Sequence, residues 1–179
     1  MKSYIAFLRG INVSGQKKIK MADLRVALEE NGFAEVQTYI QSGNIVFKSD
    51  QSNRGILEDA IAKTILSKFG YDVPVLVLSS EVLSKILKEN PYANEQEKKG
   101  LYYVLLKTKP DPDLVSEFSK VEFENEDFNI TDTCVYLNCK TGYGKAKLSN
   151  NLIERKLKVQ ATARNLRTME KMAELVKSI

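Results

Sequence analysis

The chain reads as an α+β fold built from two successive βαββαβ halves, each with an antiparallel sheet. Three observations predict it. Strand and helix signals follow the order βαββαβ through the first eighty residues, and the same order recurs after residue 100. Pro74 also falls in the fourth strand signal. Proline cannot donate to a ladder, so that strand belongs at a sheet edge or begins at the proline. In the usual 4-1-3-2 sheet order of a ferredoxin-like βαββαβ unit, the fourth strand is an edge. A tandem of two ferredoxin-like subdomains, with extra helices, satisfies all three observations.

In the first half, Ser3–Arg9 is a compact apolar run ending at Gly10 and reads as a buried strand. A loop, Gly10–Lys20, follows with two glycines and three lysines. Met21, Leu24, Ala27 and Leu28 are spaced for a helix that Asn31-Gly32 stops. Val36–Ile40 and Ile45–Phe47 form a hairpin around Ser42-Gly43-Asn44. Leu57, Ala60, Ile61, Thr64, Ile65 and Phe69 mark a second helix closed by Gly70, and Val73–Leu78 is the fourth strand.

A short helix over about Glu81–Asn90 ends before Pro91, and Tyr92–Gly100 reads as a linker. In the second half, Leu101–Lys107 is a strand, and Asp111 caps a helix with Pro112 at its first position. Val121–Ile130 and Thr133–Cys139 pair as a hairpin. Ser149 caps the next helix, with Leu148 and Ile153 placed as a hydrophobic staple. Val159–Ala163 is a short strand, and Asn165 caps a last helix. The expected organisation is a first subdomain over 1–80, a helix and linker over 81–100, and a second subdomain with a C-terminal helix over 101–179.

Composition narrows the chemistry. The 179 residues contain no histidine, which excludes Ser-His-Asp and Cys-His catalysis and imidazole metal ligation. Two cysteines five residues apart cannot complete a zinc site, and no cofactor is implied. On one strand Cys134 and Cys139 point to opposite faces, so both are expected as reduced thiols of a cytoplasmic protein. The apolar runs are too short to span a bilayer, and none reads as a signal peptide.

The net charge of +4 is unevenly spread. Residues 1–20 carry +5 with no acid, residues 140–179 carry +7, and the middle is acidic. If the basic ends met, they would form a patch suited to anions. Topology puts Arg9, Asn12 and Lys18 at the same end as Gln41, Ser42 and Asn44 of the hairpin, beside a helix N-terminus. In the second half it puts Lys145, Lys147, Arg164 and Asn165 near one another at a capped helix start. Plain turn formation by Ser42-Gly43-Asn44 and plain capping by Ser149 and Asn165 also explain those residues.

One familiar motif fails and another gives only a weak signal. Gly10–Gly15 has the glycine spacing of a phosphate-binding loop, but Gln16 stands where the lysine is needed and Lys18 cannot ligate magnesium. An RNA-recognition sheet needs stacking aromatics on an open face, and the third strand offers only Phe47, which shares a face with Ile45.

Tyr4–Val13, Ile19–Arg25, Gly32-Phe33 and Thr38–Phe47 closely resemble a widespread bacterial family, domain of unknown function 1697. Gly144–Asn150, Ile153-Glu154 and Thr162–Asn165 resemble it as well. The resemblance implies a pair of ferredoxin-like subdomains and no particular reaction. It also implies a site among Arg9, Asn12, Lys18, Tyr39, Gln41, Ser42, Asn44, Lys147, Arg164 and Asn165, the family-typical residues. The family often carries Trp after the C-terminal Arg-Asn, where Leu166 stands here.

The leading expectation is a cationic site, formed by the two halves, for a phosphate-bearing partner, a nucleotide or nucleic acid. The alternatives are a small-molecule enzyme using Lys147 or Tyr39 as acid or base, and a protein-interaction module. The sequence leaves the oligomeric state open.

Overall fold

The computed structural model describes residues 1–95 and 98–179. The chain divides into two compact units, residues 1–84 with 171–179 and residues 85–170. In chain order the elements are β1 (Lys2–Leu8), α1 (Met21–Glu30), β2 (Ala34–Tyr39), β3 (Asn44–Ser49), α2 (Arg54–Phe69), β4 (Val75–Ser79) and α3 (Ser80–Lys88). There follow β5 (Leu101–Leu106), α4 (Pro112–Phe118), β6 (Glu126–Ile130), β7 (Cys134–Cys139), α5 (Asn150–Leu157), β8 (Ala161–Asn165) and α6 (Leu166–Ser178). The expected linker, Tyr92–Gly100, includes residues 96 and 97, which lie outside the described residues.

Both sheets are four-stranded and antiparallel, in the orders β2-β3-β1-β4 and β6-β7-β5-β8. This is the ferredoxin-like order twice over. Pro74 precedes β4, an edge strand, and its carbonyl accepts from Arg9 N at 3.0 Å.

In the first unit, Tyr4, Ala6 and Leu8 of β1 join Ile45, Phe47, Val75 and Val77 in one core with Leu24 and Leu28 of α1 and Leu57, Ile61 and Ile65 of α2. Phe47 is a core residue: it stacks on Tyr4 and meets Phe33 edge-on, with ring centroids 5.8 and 5.0 Å away. In the second unit Val104, Leu106, Val135 and Leu137 pack with Phe118 of α4 and Leu148, Ile153 and Leu157 at α5. The caps read from the sequence hold. Asp113 N donates to Asp111, Leu152 N to Ser149 and Thr168 N to Asn165, at 2.8, 3.2 and 2.9 Å.

Among the strand boundaries that differ from expectation, two starts in the second unit have a visible cause. β6 starts at Glu126 rather than Val121, because Glu122, Glu124 and Asn125 are exposed and only Phe123 bridges back, to Glu126. β8 starts at Ala161 rather than Val159. Lys158 closes α5 in a left-handed conformation (φ 54°), and Ala161 N donates to the Glu154 carboxylate at 2.8 Å.

The β2–β3 turn depends on Gly43. It has φ +77°, and a Cβ there would lie 2.6 Å from Leu8 Cβ and 2.9 Å from Ile11 Cδ1. Both neighbours are buried, so they have no room to yield. Gly43→Ala therefore combines left-handed strain with overpacking, and chemical denaturation should show a loss of about 2–4 kcal/mol. A loss within measurement error would mean that the turn relaxes without cost.

Cys134 and Cys139 are free and buried, and Cys139 alone of the two joins the helix-side core, as strand parity requires. Burial raises both thiols, Cys139 from 9.0 to about 11. A thiol raised on folding contributes stability below its unfolded value, and that contribution is lost as pH rises toward the folded value. Thermal melts of Cys139→Ala should accordingly fall less steeply than wild type from about pH 9 to 11. Parallel curves would refute the shift.

Candidate functional site

The hairpin end of the first unit gathers the polar residues that topology placed there. β1 ends beside the turn, where Leu8 N donates to Gly43 O at 2.8 Å. The loop that follows is clipped to the same turn by Asn12. Its Nδ2 donates to Gln41 O at 2.8 Å and to Ile19 O at 2.9 Å, while its Oδ1 accepts from Ile19 N at 2.9 Å. One side chain thus closes the loop on itself and anchors it to the hairpin. Lys17 Nζ adds a hydrogen bond to Asp72 O at the entry to β4.

This end is rich in left-handed backbone. Gly10, Asn12, Ser14, Gly15 and Lys17 in the loop, with Ile40 and Gly43 in the turn, all have positive φ. Four of the seven are not glycine, and such residues persist where surrounding contacts over-determine them. Ile40 is the sharpest case: β-branched, at φ 47°, and 52% exposed.

The loop delivers the chain to α1 with Lys20 at the N-cap, and no side chain among the described residues caps that helix. Asn53, Asp111 and Ser149 supply side-chain caps to α2, α4 and α5. Lys18 and Lys20 are exposed immediately before the uncapped turn, whose one acid is Asp23. Uncapped backbone N–H groups, the helix dipole and two ammonium groups together favour an anion.

The expected site residues take unequal roles. Asn44 is fully buried, and its Nδ2 donates to Tyr39 O and Ser42 Oγ, both at 3.0 Å. Asn12, Ser42 and Asn44 therefore build the turn, and Tyr39 and Gln41 lend it their carbonyls. Lys18 and Gln41 are exposed, and Arg9 is half-buried.

In the second unit, Glu126 organises the loop after β7. Its buried carboxylate accepts from Lys147 N at 2.6 Å and Leu148 N at 2.7 Å. Tyr143 stacks on Tyr102, with centroids 4.3 Å apart, and its hydroxyl accepts from Asn150 N at 3.1 Å. Lys147 itself is left exposed. Arg164 is buried: Nη1 donates to Thr162 Oγ1 at 2.9 Å and Ala163 O at 2.8 Å, and burial lowers its pKa to about 10. It lies opposite Tyr103 in the ladder, whereas Asn165 lies opposite Tyr102. Alternation along β8 thus turns the two residues to opposite faces, and Asn165 caps α6.

Sequence reasoning missed Glu126 and Lys20. Glu126 sits in an acidic stretch that reads as solvated, and no local signal marks it as the inward member. Lys20 was legible as the absence of Ser, Thr, Asp or Asn at a helix start. Asn12→Ala removes both donor bonds and leaves the N–H of buried Ile19 without its partner. Denaturation should show a loss of about 1–3 kcal/mol, with faster amide exchange across 10–20. Unchanged exchange would show that Asn12 does not hold the loop.

A chain described as the structure of conserved bacterial protein SP0830 from Streptococcus pneumoniae superposes with a TM-score of 0.77, at 24% identity, over 98% of each chain. That likeness shows the fold. No curated protein matches the sequence. The family model described as protein of unknown function (DUF1697) matches residues 1–136, and so covers the whole hairpin end but stops before the loop at 140–147. With that match over most of its length, the chain belongs to the DUF1697 family.

Proposed function

We propose that the protein binds a phosphate-bearing ligand, a nucleotide or nucleic acid, at the hairpin end of its first unit. The observation that carries this reading is the uncapped N-terminus of α1, entered from a segment with five basic residues and no acid. Phosphate oxygens would take the orphan N–H groups while Lys18 and Lys20 neutralise charge. Clipping of the loop by Asn12 supports the reading, because a prearranged anion site gives up little entropy on binding.

The tyrosines and thiols whose pKa values shift upward are not primed as nucleophiles. Tyr92, Tyr102, Tyr103, Tyr136, Cys134 and Cys139 are all raised, chiefly by burial, toward their neutral forms. An activated nucleophile needs the opposite shift. Two free thiols suit the cytoplasm, where we place the protein. Among the described residues no helix is long and apolar enough to cross a membrane.

Fluorescence anisotropy with labelled DNA and RNA oligonucleotides, alongside calorimetry with nucleoside triphosphates, tests the proposal. The double variant Lys18→Ala, Lys20→Ala should bind about tenfold or more weakly. On duplex DNA its log K against log salt slope should shrink by about 0.9 for each phosphate that is no longer neutralised. Equal affinity and equal slope in the folded variant would sink the anion site.

A further inference from the structure

The second unit contains a half-open cleft of about 400 Å³, lined by Glu95, Lys99, Gly100, Asn138, Cys139, Lys140 and Gly142. Asn138 is the unexplained residue. It is only 5% exposed as a residue, on β7 between β5 and β6, and its carboxamide borders the cleft without a protein hydrogen bond among the described residues. An amide that borders an open cleft with no protein partner can offer its donor and acceptor to a ligand. Its Oδ1 lies 3.4 Å from where a Cβ on Gly100 would stand, on the cleft wall. That wall is itself built by close approach: a Cβ on Gly100 would come 2.5 Å from Cys139 O, so no other residue fits without backbone movement.

The remaining groups lie around this amide. Lys99 is exposed at the rim. Lys140 pairs with Asp127 at 3.1 Å, both about half exposed, so an incoming anion must share or displace that partner. Glu95 supplies a carboxylate. A ligand complementary to this set presents an adjacent donor and acceptor to Asn138, hydroxyls to Glu95 and an anion to the lysines. The volume is at the small end for ligand sites.

We propose that this cleft is a binding site for a ribonucleoside monophosphate, with adenine the preferred base. A carboxamide offers one N–H donor and one C=O acceptor side by side, the complement of the adenine N6/N7 edge. A carboxylate suits ribose hydroxyls, as in dinucleotide sites. Lys99 and Lys140 hold the phosphate as point charges. The proposal is independent of the hairpin-end site, which lies in the other unit and involves none of these residues.

Calorimetric titration of the full chain with AMP, GMP, CMP, UMP, ribose 5-phosphate and inorganic phosphate tests it. AMP is expected to bind tightest, and ribose 5-phosphate about tenfold or more weakly, because it leaves Asn138 unsatisfied. Asn138→Ala should bring AMP down to the level of ribose 5-phosphate. It should melt no lower than a conservative surface variant, since no protein hydrogen bond is removed. Lys99→Ala should weaken AMP and ribose 5-phosphate by the same factor. Three results would each overturn the proposal: no heat with any nucleotide, AMP and ribose 5-phosphate bound equally by wild type, or AMP affinity unaltered in folded Asn138→Ala.

Discussion

The hairpin end of the first unit depends on a single side chain, the carboxamide of Asn12. Without it the eleven-residue loop from Gly10 to Lys20 would have few reasons to hold one shape. Its apolar contributions are Ile11 and Ile19, both buried, and Val13, which is exposed. An amide is suited to the task because it donates and accepts at once. It satisfies both backbone groups of Ile19 while its second N–H reaches Gln41 O across the gap to the turn. A hydroxyl could do one of these, and a carboxylate could not donate at all. The left-handed residues nearby follow from this constraint, since a short loop forced to close on fixed points must turn sharply.

Glu126 solves the corresponding problem in the second unit with charge in place of an amide. Its carboxylate gathers two successive backbone N–H groups, Lys147 and Leu148, just before α5. Charge-assisted bonds of this kind are stronger than neutral ones, and they offset the cost of holding a carboxylate at 7% exposure. The Tyr102–Tyr143 stack fixes the far side of the same loop. Both units therefore position their basic loops by binding backbone, which leaves Lys18, Lys20 and Lys147 exposed to solvent.

The fold was legible in the sequence wherever a local signal coincided with a tertiary need. Pro74 marked an edge, Gly70 a helix end, and Asp111, Ser149 and Asn165 the caps. Each residue type has one strong physical preference, and the fold uses it. Boundaries slipped where burial was decided at a distance. Nothing local says that Glu126 turns inward while Glu122 and Glu124 stay out, or that β8 begins where Glu154 meets Ala161. The site was legible only as a neighbourhood. Topology brought Arg9, Asn12, Lys18 and Gln41 to one end. It could not say that Asn12 turns inward, because a hydrogen-bond partner 29 residues away leaves no periodic trace.

Arg164 shows why counting cations is a poor guide to an anion site. Residues 140–179 carry +7, and charge alone would present them as one basic surface. Yet the ladder places Arg164 across from Tyr103 and Asn165 across from Tyr102, so neighbouring residues serve different sides of the sheet. Burial lowers the guanidinium pKa to about 10, still far enough above neutrality to keep it charged. Its bonds to Thr162 and Ala163 brace β8 against that charge. A lysine there would lack the planar fork that reaches a hydroxyl and a carbonyl from one nitrogen group, and its lower intrinsic pKa would let burial neutralise it more readily. Arginine at this position is thus explained by the internal architecture of β8. The exposed lysines of the hairpin end have no such internal duty, with the exception of Lys17, which is engaged by Asp72 O. The physical distinction that matters for recognition is therefore between cations the fold consumes and cations it displays.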